Sequence, residues 1–364
     1  MAIDPDTLLA GPRGRRVCLE FAREQLGTGP DDWELGHAIV IAAADLDPRR
    51  GSTRVLVSTT GADEEPTESP TAADVARLLE AVPLEAVPLG AARSALLLAV
   101  AVDTARYWQE PDGEDVLAGL PELRGSLARA AARLAASPSA AWWDTPFDRT
   151  AQWEVDFAGI PHTEPTTAAQ TLSTWRTAQL AEEADAARTR PADPAAPFSG
   201  SWWSKPPTAL TRTTRALDSS PVGLTLVEDS MGWDQATVAE VRVPDGARVH
   251  EITGAEDWAE LCGRYPLEVT ASRRHDWYRT TGRAGRWAIP DWELVAHRYD
   301  AVHLTVAGYL SAAGRALPID GNLSTVLAGW DPDQTFWLAD VPRDPRTRAE
   351  WRRARESGWL PGRR

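Results

Sequence analysis

The spacing of apolar residues changes near residue 200, and this change constrains the fold more than any other feature of the chain. Before it, apolar residues recur every three to four positions, as at Leu123, Leu127 and Leu134, which is the spacing of one helix face. After it, short apolar runs typical of strands dominate, such as 237–243 and 301–306. The sequence therefore predicts an α+β protein. Its N-terminal part should be mainly helical, and its C-terminal part should be a mixed α/β domain with short strands.

Five segments of the N-terminal part have helical spacing, and two have strand character. The predicted helices are 16–25, 72–81, 91–109, 121–136 and 171–188. We expect strands at 37–44 and 54–59, which would form one hairpin. Residues 60–70 are acidic and rich in turn formers, so an exposed loop is expected there.

The C-terminal part is predicted to combine short strands with short helices. The expected strands are 223–227, 237–243, 248–252, 301–306 and 335–338. The Pro-Asp-Gly sequence at 244–246 is typical of a tight turn and favours a hairpin between its flanking strands. One helix should carry Trp258 on its apolar side, with Asp257 or Thr253 as its cap. A second helix should span 291–298.

The segment 190–200 is rich in Pro and Ala, and it is the strongest candidate for a linker. It divides the chain into a mainly helical domain of unknown role, 1–190, and an α+β domain, 199–340. The remainder, 341–364, carries eight arginines and is predicted to be a basic helix or tail on the surface.

The charge of the chain restricts its partners. A formal net charge of −15 opposes binding to nucleic acid, which requires Lys and Arg to neutralise phosphates. Of the 38 basic residues only Lys205 is a lysine, a bias that indicates a GC-rich genome. Arginine also suits bidentate contacts with phosphate and carboxylate groups.

Several classes of protein are disfavoured by motifs that the sequence lacks. The two cysteines, Cys18 and Cys262, do not form a CxxC pair, and no HExxH motif is present, so no metal site is expected. The longest apolar run, 95–102, is far shorter than a membrane-spanning helix, and no secretory signal is seen. We therefore expect a cytoplasmic protein without a membrane segment.

The chain contains 17 Trp against five Phe and five Tyr. Trp buries a large apolar surface and carries one N–H donor that needs a partner. Most of these side chains are expected to form the core. Some, among them the pair Trp202 and Trp203, could instead stack on an aromatic or sugar ligand.

Two acids, Asp331 and Asp333, flank a proline directly before the strand predicted at 335–338. Asp-Pro-Asp is good turn chemistry, and such acids are usually solvated. The same position, at the mouth of an aromatic strand, also suits the acid of an active site. The residue pattern alone leaves both interpretations open.

The segment 273–279, RRHDWYR, is the densest cluster of polar and aromatic residues in the chain. It could be a surface loop or a loop that binds a cofactor or substrate. His275 within it and His303 on a predicted strand could titrate near neutral pH. A hydrolase that uses either histidine with an acid would require Asp276, Asp300 or Asp333 within hydrogen-bond reach.

The order of motifs after residue 199 resembles that of bacterial ADP-ribosyltransferase-like domains. The succession begins with SGSWWSKPPTAL at 199–210 and continues with the strand-turn-strand AEVRVPDGARVHEI at 239–252. Two helical segments follow at 256–266 and 290–306, and VLAGWDPDQTFWL closes the series at 326–338. The resemblance covers under half of the chain, and it implies a split sheet of short strands.

The resemblance assigns roles to particular residues. The catalytic acid falls on Asp333, with Asp331 beside it, although the family usually has Glu at this position. The family's Ser-Thr-Ser position falls on the SWWS sequence. No clean match exists for the family's first cofactor-gripping cation, for which Arg176 and His162 are candidates. The full set of implied cofactor-binding residues is Ser201, Trp202, Trp203, Ser204, Arg215, His275, Trp277, Tyr278 and Arg279.

Two functional hypotheses follow from the resemblance. The first is an enzyme that transfers ADP-ribose from NAD to an unknown protein or small-molecule acceptor, or hydrolyses NAD, with NAD as substrate. A carboxylate would orient the ribose and offset the positive charge of an oxocarbenium-like transition state. The second is a degenerate, non-catalytic module that binds a protein or nucleotide through its Trp-lined surface. An enzyme requires Asp333, the SWWS segment and a cation to converge on one cleft.

Overall fold

The computed structural model describes residues 3–26, 30–50, 69–85, 90–159, 166–342, 345–354 and 358–362. Helices and short strands in open sheets are both present, so the α+β class is confirmed. Within the described residues the α-helices are α1 (Pro5–Ala10), α2 (Pro12–Glu24), α3 (Pro30–Leu46), α4 (Ala72–Ala81), α5 (Ala91–Asp103), α6 (Gly113–Ala118), α7 (Arg124–Ala135), α8 (Ala168–Thr189), α9 (Ala255–Arg264), α10 (Thr270–Thr281), α11 (Trp292–Ala296) and α12 (Val306–Ala312).

The strands are short, and most lie after residue 200. Within the same residues they are β1 (Gln152–Phe157), β2 (Arg212–Thr213), β3 (Ala216–Leu217), β4 (Ser220–Pro221), β5 (Gln235–Val241), β6 (Val249–Ile252), β7 (Pro266–Glu268), β8 (Arg286–Pro290), β9 (Ala301–Leu304), β10 (Leu317–Asp320), β11 (Leu323–Thr325), β12 (Thr335–Trp337), β13 (Ala349–Ala354) and β14 (Gly358–Pro361).

The helices predicted from apolar spacing in the N-terminal part are confirmed as α2, α4, α5, α7 and α8. Local chemistry fixes where two of them begin. Thr71 and Asp74 form a capping box at the start of α4, and Thr167 and Gln170 form one at the start of α8. Each box satisfies backbone N–H groups that the first helical turn leaves without partners.

The strand predicted at 37–44 is wrong, because these residues lie inside α3. A continuous apolar run fits a buried helix as well as a buried strand, and here the helix begins at Pro30, a residue favoured in a first turn. The strand expected at 54–59 and most of the loop expected at 60–70 fall outside the described residues.

The sheet that carries the candidate site has the order β2-β12-β9-β6. Strand β12 lies between β2 and β9 and is antiparallel to both, whereas β6 and β9 are parallel. Two further four-stranded sheets have the orders β1-β5-β13-β14 and β10-β11-β8-β7. Since β12 is central, residues at the ends of β2 and β9 converge on the turn that precedes it.

The hairpin predicted around 244–246 does not form. A turn is present there, but β5 pairs with β1 and β13 while β6 pairs with β9, so the flanking strands belong to different sheets. The strand predicted at 223–227 is also wrong, since 222–224 form a short 3-10 helix.

The C-terminal segment is not the helix that its arginines suggested. Residues Ala349–Ala354 and Gly358–Pro361 are antiparallel strands, and β13 extends the sheet of β5. From residue 349 to 352 half-buried and exposed side chains alternate, and Trp351 is among the half-buried ones. This period of two is the pattern of a strand with one covered face.

The helices predicted around Trp258 and at 291–298 are confirmed as α9 and α11. The cap of α9 differs from the prediction, because its N-cap is Gly254, which has no side chain to form a capping bond. Thr253 instead donates its backbone N–H to the Asp257 carboxylate at 2.8 Å. The polar cluster 273–279 is not a loop but part of α10.

One hydrophobic core includes residues from both parts of the chain. Helices α1 and α2 pack against α12, and Leu8 and Phe21 belong to the same buried cluster as Tyr309 and Leu310. The loop at 190–200 therefore connects parts that share a core. Seven of the 17 Trp side chains are fully buried: Trp143, Trp258, Trp277, Trp287, Trp292, Trp330 and Trp337.

Candidate functional site

The two acids of the Asp-Pro-Asp sequence lie in a tight turn that leads into β12. Asp333 has a φ of 60°, a left-handed conformation that Asp tolerates better than most residues. The backbone N–H of Gln334 donates to the Asp331 carbonyl at 3.3 Å, and the Trp330 indole N–H donates to the Gln334 carbonyl at 3.0 Å. This turn directs the two carboxylates to different surroundings.

Asp333 points into the protein and pairs with Arg215, which follows β2. Its Oδ1 accepts from Arg215 Nε at 2.6 Å, and its Oδ2 accepts from the Arg215 backbone N–H at 3.0 Å. The two side chains are only 2% and 9% exposed. Arg215 is held in turn by the carbonyl of Pro146 at 2.9 Å and by Thr145. Asp333 is therefore part of a buried, hydrogen-bonded ion pair.

His303 extends this buried network. Its Nε2 lies 3.4 Å from Asp333 Oδ1, and its Nδ1 lies 2.6 Å from Glu251 Oε2. Burial alone would lower the pKa of His303, but hydrogen bonds and charge from Asp333 and Glu251 raise it above its usual value. The chain Glu251–His303–Asp333–Arg215 thus joins β6, β9 and the ends of β12 and β2.

Asp331 instead lines a cleft of about 1010 Å³, which we call the central cleft. Among its lining residues are Trp202, Trp203, Lys205, Arg212, Glu228 and Asp331. A cleft of this volume is at the upper end of the range for small-molecule sites. Asp333 is not among the lining residues.

Two acids, Asp331 and Glu228, are neighbours in the lining of the central cleft. Asp331 Oδ1 accepts the backbone N–H of Glu228 at 2.9 Å, and Asp331 Oδ2 accepts from the Gln334 side chain at 3.1 Å. Burial raises the pKa of Asp331, opposed by the charges of Lys205 and Arg212. Burial and the nearby Asp331 charge raise the pKa of Glu228 to about 8.

The Glu228 carboxyl is buried without a hydrogen bond of normal geometry. Neither of its oxygens has such a partner among the described residues. The hydroxyls of Tyr107 and Tyr309 are close enough to lower its pKa, although burial outweighs them. A buried polar group without a partner costs stability, and groups of this kind concentrate at functional sites.

Two cations face these acids. Burial lowers the pKa of Lys205, while the Asp331 charge raises it and the Arg212 charge lowers it. Within the described part of the chain, neither cation has a carboxylate within 4.0 Å. Lys205 and Arg212 are therefore close enough to change the pKa values of the nearby groups. Among the described residues, neither forms an ion pair.

Trp202 and Trp203 form the aromatic wall of the central cleft. Their ring centroids lie 4.9 Å apart, and Trp202 packs on Trp108 at the same distance. Trp203 is 45% exposed, so one of its faces is accessible to a ligand. Gly329 lies beneath this pair with a φ of 77°, and a Cβ there would come within 2.3 Å of the Trp203 ring.

A second aromatic pair also lines the central cleft. Phe157 on β1 stacks on Trp233, with a centroid distance of 4.8 Å and an angle of 16° between the rings. Met231, another lining residue, is 73% exposed. The cleft therefore combines apolar surfaces with charged groups.

The SWWS segment contributes its two indoles to the cleft but not its hydroxyls. Residues 201–204 form neither a helix nor a strand. The Ser201 hydroxyl donates to Glu182 at 3.0 Å. Ser204 is buried and binds both backbone groups of Ala328.

The predicted binding residues on α10 lie away from the central cleft. Trp277 is fully buried and donates its indole N–H to the Trp202 carbonyl at 2.9 Å. His275 packs on Phe198, and Arg279 donates to the carbonyls of Trp108 and Phe198. Tyr278 is half-buried on the same helix. These residues hold the 198–204 segment in place, so their contact with the site is indirect.

Of the remaining cation candidates, Arg176 does not line the central cleft. Arg176 on α8 donates to Asp291 at the start of α11, at 2.6 Å. His162 lies outside the described residues. The functional residues that sequence reasoning missed are Glu228 and Lys205. Lys205 had one signal, as the only lysine in a chain that otherwise uses arginine.

No family model matches the chain, and neither a curated protein nor a solved structure matches it. Among the described residues, no group of three or more His, Cys, Asp or Glu side chains is arranged to hold a metal ion. In the same part of the chain, the helices are too short or too polar to cross a membrane.

Proposed function

We propose that the central cleft binds NAD and cleaves its bond between ribose and nicotinamide, passing ADP-ribose to water or to an acceptor. In this proposal Asp331 is the acid that acts on the ribose, and Asp333 is a positioning residue in the turn. The proposal includes an ADP-ribosyltransferase-like fold, which is supported by the short strands in separate open sheets. The missing hairpin at 244–246 argues against that fold.

The proposal rests on one observation, which is that acids, cations and an exposed indole ring line the same cleft. Asp331 and Glu228 are two carboxyls withdrawn from water, and Trp203 offers an open ring face. Among the described residues, Lys205 and Arg212 have no ion-pair partner. A dinucleotide sugar presents the complementary set: hydroxyls, a diphosphate and aromatic rings.

In this reaction the protein needs only to bind NAD and to stabilise the positive charge that develops on the ribose. The bond between ribose C1′ and the nicotinamide nitrogen breaks, and its electron pair leaves with the nicotinamide, neutralising the ring. Water or an acceptor hydroxyl forms the new bond to C1′ and releases a proton. Positive charge develops on the ribose as the bond breaks, and a carboxylate at Asp331 would stabilise it.

Glu228 gives a way to distinguish substrate classes. With a pKa of about 8 it carries a proton at neutral pH. Nicotinamide leaves as a neutral molecule and needs no proton, so Glu228 would only donate a hydrogen bond to the ribose of NAD. An O-glycoside, whose leaving group would otherwise depart as an alkoxide, would instead require Glu228 as general acid.

The test is nicotinamide release from NAD by the purified protein. We expect Asp331→Asn to reduce release by about 100-fold or more, the scale seen when a transition-state charge partner is removed. Asp320→Asn, which changes an exposed acid on β10, is the matched control and should release nicotinamide at the wild-type rate. Retention of release by Asp331→Asn would rule out the role of this acid.

Glu228→Gln refines the result. The amide still donates a hydrogen bond, so NAD cleavage should persist within about tenfold. Complete loss would contradict the role of Glu228 as no more than a hydrogen-bond donor to the ribose of NAD.

A second candidate function is a non-catalytic binding module that uses the same cleft. It is favoured by one observation, since the acid that the resemblance assigns to catalysis, Asp333, is buried in an ion pair with Arg215. NAD binding by calorimetry without nicotinamide release would support this module. Neither binding nor release would overturn both candidates for NAD.

A further inference from the structure

A second cavity, of about 490 Å³, is lined by residues of α2, α6 and the 104–112 segment, Tyr107 among them. Four of its lining residues are arginines: Arg13, Arg15, Arg106 and Arg315. We call this cavity the arginine pocket. Four arginines around one cavity are unexpected in a chain of net charge −15, where acids are plentiful.

Two of these arginines are neutralised by acids. Arg13 forms a buried ion pair with Asp115, and Arg106 pairs with Asp229 at 3.1 Å. Among the described residues, no carboxylate lies within 4.0 Å of the guanidinium of Arg15 or Arg315. The pocket thus contains two cations that the protein itself does not pair.

Arg15 and Arg315 are nevertheless fixed in position. Arg15 Nη1 donates to the Leu9 carbonyl at 3.0 Å, and Arg315 Nη1 donates to the Ser311 carbonyl at 2.7 Å. The Nε of Arg15 is buried and has no hydrogen-bond partner in the described part of the chain. Each side chain therefore keeps unused N–H donors while its orientation is set by a backbone carbonyl.

The two arginines also repel each other. Burial, followed by the charges of Arg315 and Arg13, lowers the pKa of Arg15, and burial lowers the pKa of Arg315. Placing like charges together in a partly desolvated site costs free energy unless an anion offsets it.

The acids that line the arginine pocket do not supply this anion. Asp115 is held by Arg13, and both Asp112 and Asp115 also bind Arg16. Glu110 lines the pocket, but it is not within 4.0 Å of any described arginine. Glu110 would exclude an anion from its own side and so direct it towards Arg15 and Arg315.

We propose that the arginine pocket is a binding site for a small phosphorylated molecule, with the phosphate between Arg15 and Arg315. Guanidinium groups bind phosphate through paired N–H donors, and the free donors of these two residues match that chemistry. The cavity is larger than a phosphate ion, so the ligand carries an organic part as well. The site is separate from the central cleft and is independent of the function proposed for it.

The test is calorimetric titration of the full chain with inorganic phosphate, at constant ionic strength maintained with chloride. We expect Arg315→Gln to weaken phosphate binding at least tenfold. Arg298→Gln changes an exposed arginine after α11 and should bind phosphate like the wild type. In Lys205→Gln, which removes a cation of the central cleft, the phosphate binding that depends on Arg315 should remain.

Two results would overturn the proposal. One is the absence of phosphate binding by the wild-type protein at millimolar concentrations. The other is loss of binding in Lys205→Gln with retention in Arg315→Gln, which would assign the phosphate to the central cleft. If Arg315→Gln does not fold, Arg315→Lys keeps the charge but not the paired donors. That variant should bind phosphate more weakly than the wild type, and unchanged affinity would contradict the site.

Discussion

Asp331 and Asp333 are two residues apart, yet they occupy opposite electrostatic situations. Asp333 has Arg215 at 2.6 Å, a backbone N–H at 3.0 Å and His303 nearby, so its charge is fully compensated. Asp331 shares its surroundings with Glu228, and the nearest cations form no ion pair with it. One carboxylate contributes to the structure, and the other remains available to a ligand.

The comparison shows how a buried acid can be assigned to structure or to function. Buried charges are tolerated when their hydrogen bonds are satisfied, and unsatisfied ones need an explanation. The burial of Asp333 is explained by its hydrogen bonds to Arg215. The carboxyl of Glu228, next to Asp331, has no such partner among the described residues, which is why we place the chemistry there.

The largest effect should come from breaking the Asp333 ion pair. Arg215→Ala would leave the buried carboxylate of Asp333 without its main partner, which should cost about 3–5 kcal/mol in the free energy of unfolding. Urea unfolding followed by tryptophan fluorescence measures this. The matched change in the central cleft, Arg212→Ala, should cost less than about 1 kcal/mol because Arg212 forms no ion pair. Equal losses in the two variants would remove the distinction between the regions.

A smaller effect is expected at Gly329, where the turn meets the aromatic wall. Gly329→Ala forces a left-handed φ on a residue with a Cβ and places that Cβ against Trp203, at a cost of about 1–3 kcal/mol. Trp203→Ala in the same chain removes the clash but not the backbone strain. The double variant should therefore recover part of the lost stability in thermal unfolding. If Gly329→Ala alone is as stable as the wild type, Trp203 can move away from the added Cβ at no cost in free energy.

The helices were predictable from sequence because their signals are local. The spacing of Leu123, Leu127 and Leu134 lies within one element, and so does the Thr71–Asp74 capping box. The strands were less predictable, since the partner of each strand decides its role. The tight turn at 244–246 was found, whereas the sheets of its two flanking strands were not.

The candidate site was predicted only in part. Asp331, Trp202 and Trp203 were singled out by residue type and do line the central cleft. The buried role of Asp333 depends on Arg215, 118 residues away in sequence, and on β12 lying between β2 and β9. Glu228 resembles any solvated acid in its sequence context, and only the fold removes its carboxyl from water.

The most specific effect concerns the pH dependence of stability. Glu228 keeps its proton in the folded protein up to about pH 8, whereas in the unfolded chain it ionises near 4.5. Between these values the folded state binds more protons, so this group makes stability fall as pH rises. Glu228→Gln cannot ionise and should lose that part of the decline.

Melting temperatures of the wild type and Glu228→Gln should therefore be similar near pH 5 and diverge towards pH 8, with the variant higher by a few degrees. His303, whose raised pKa also makes stability fall as pH rises, is common to both proteins and cancels in the difference. Parallel melting curves across this range would mean that the Glu228 carboxyl reaches water. The contrast between Asp333, whose charge is paired with Arg215, and the acids of the central cleft would then depend on Asp331 alone.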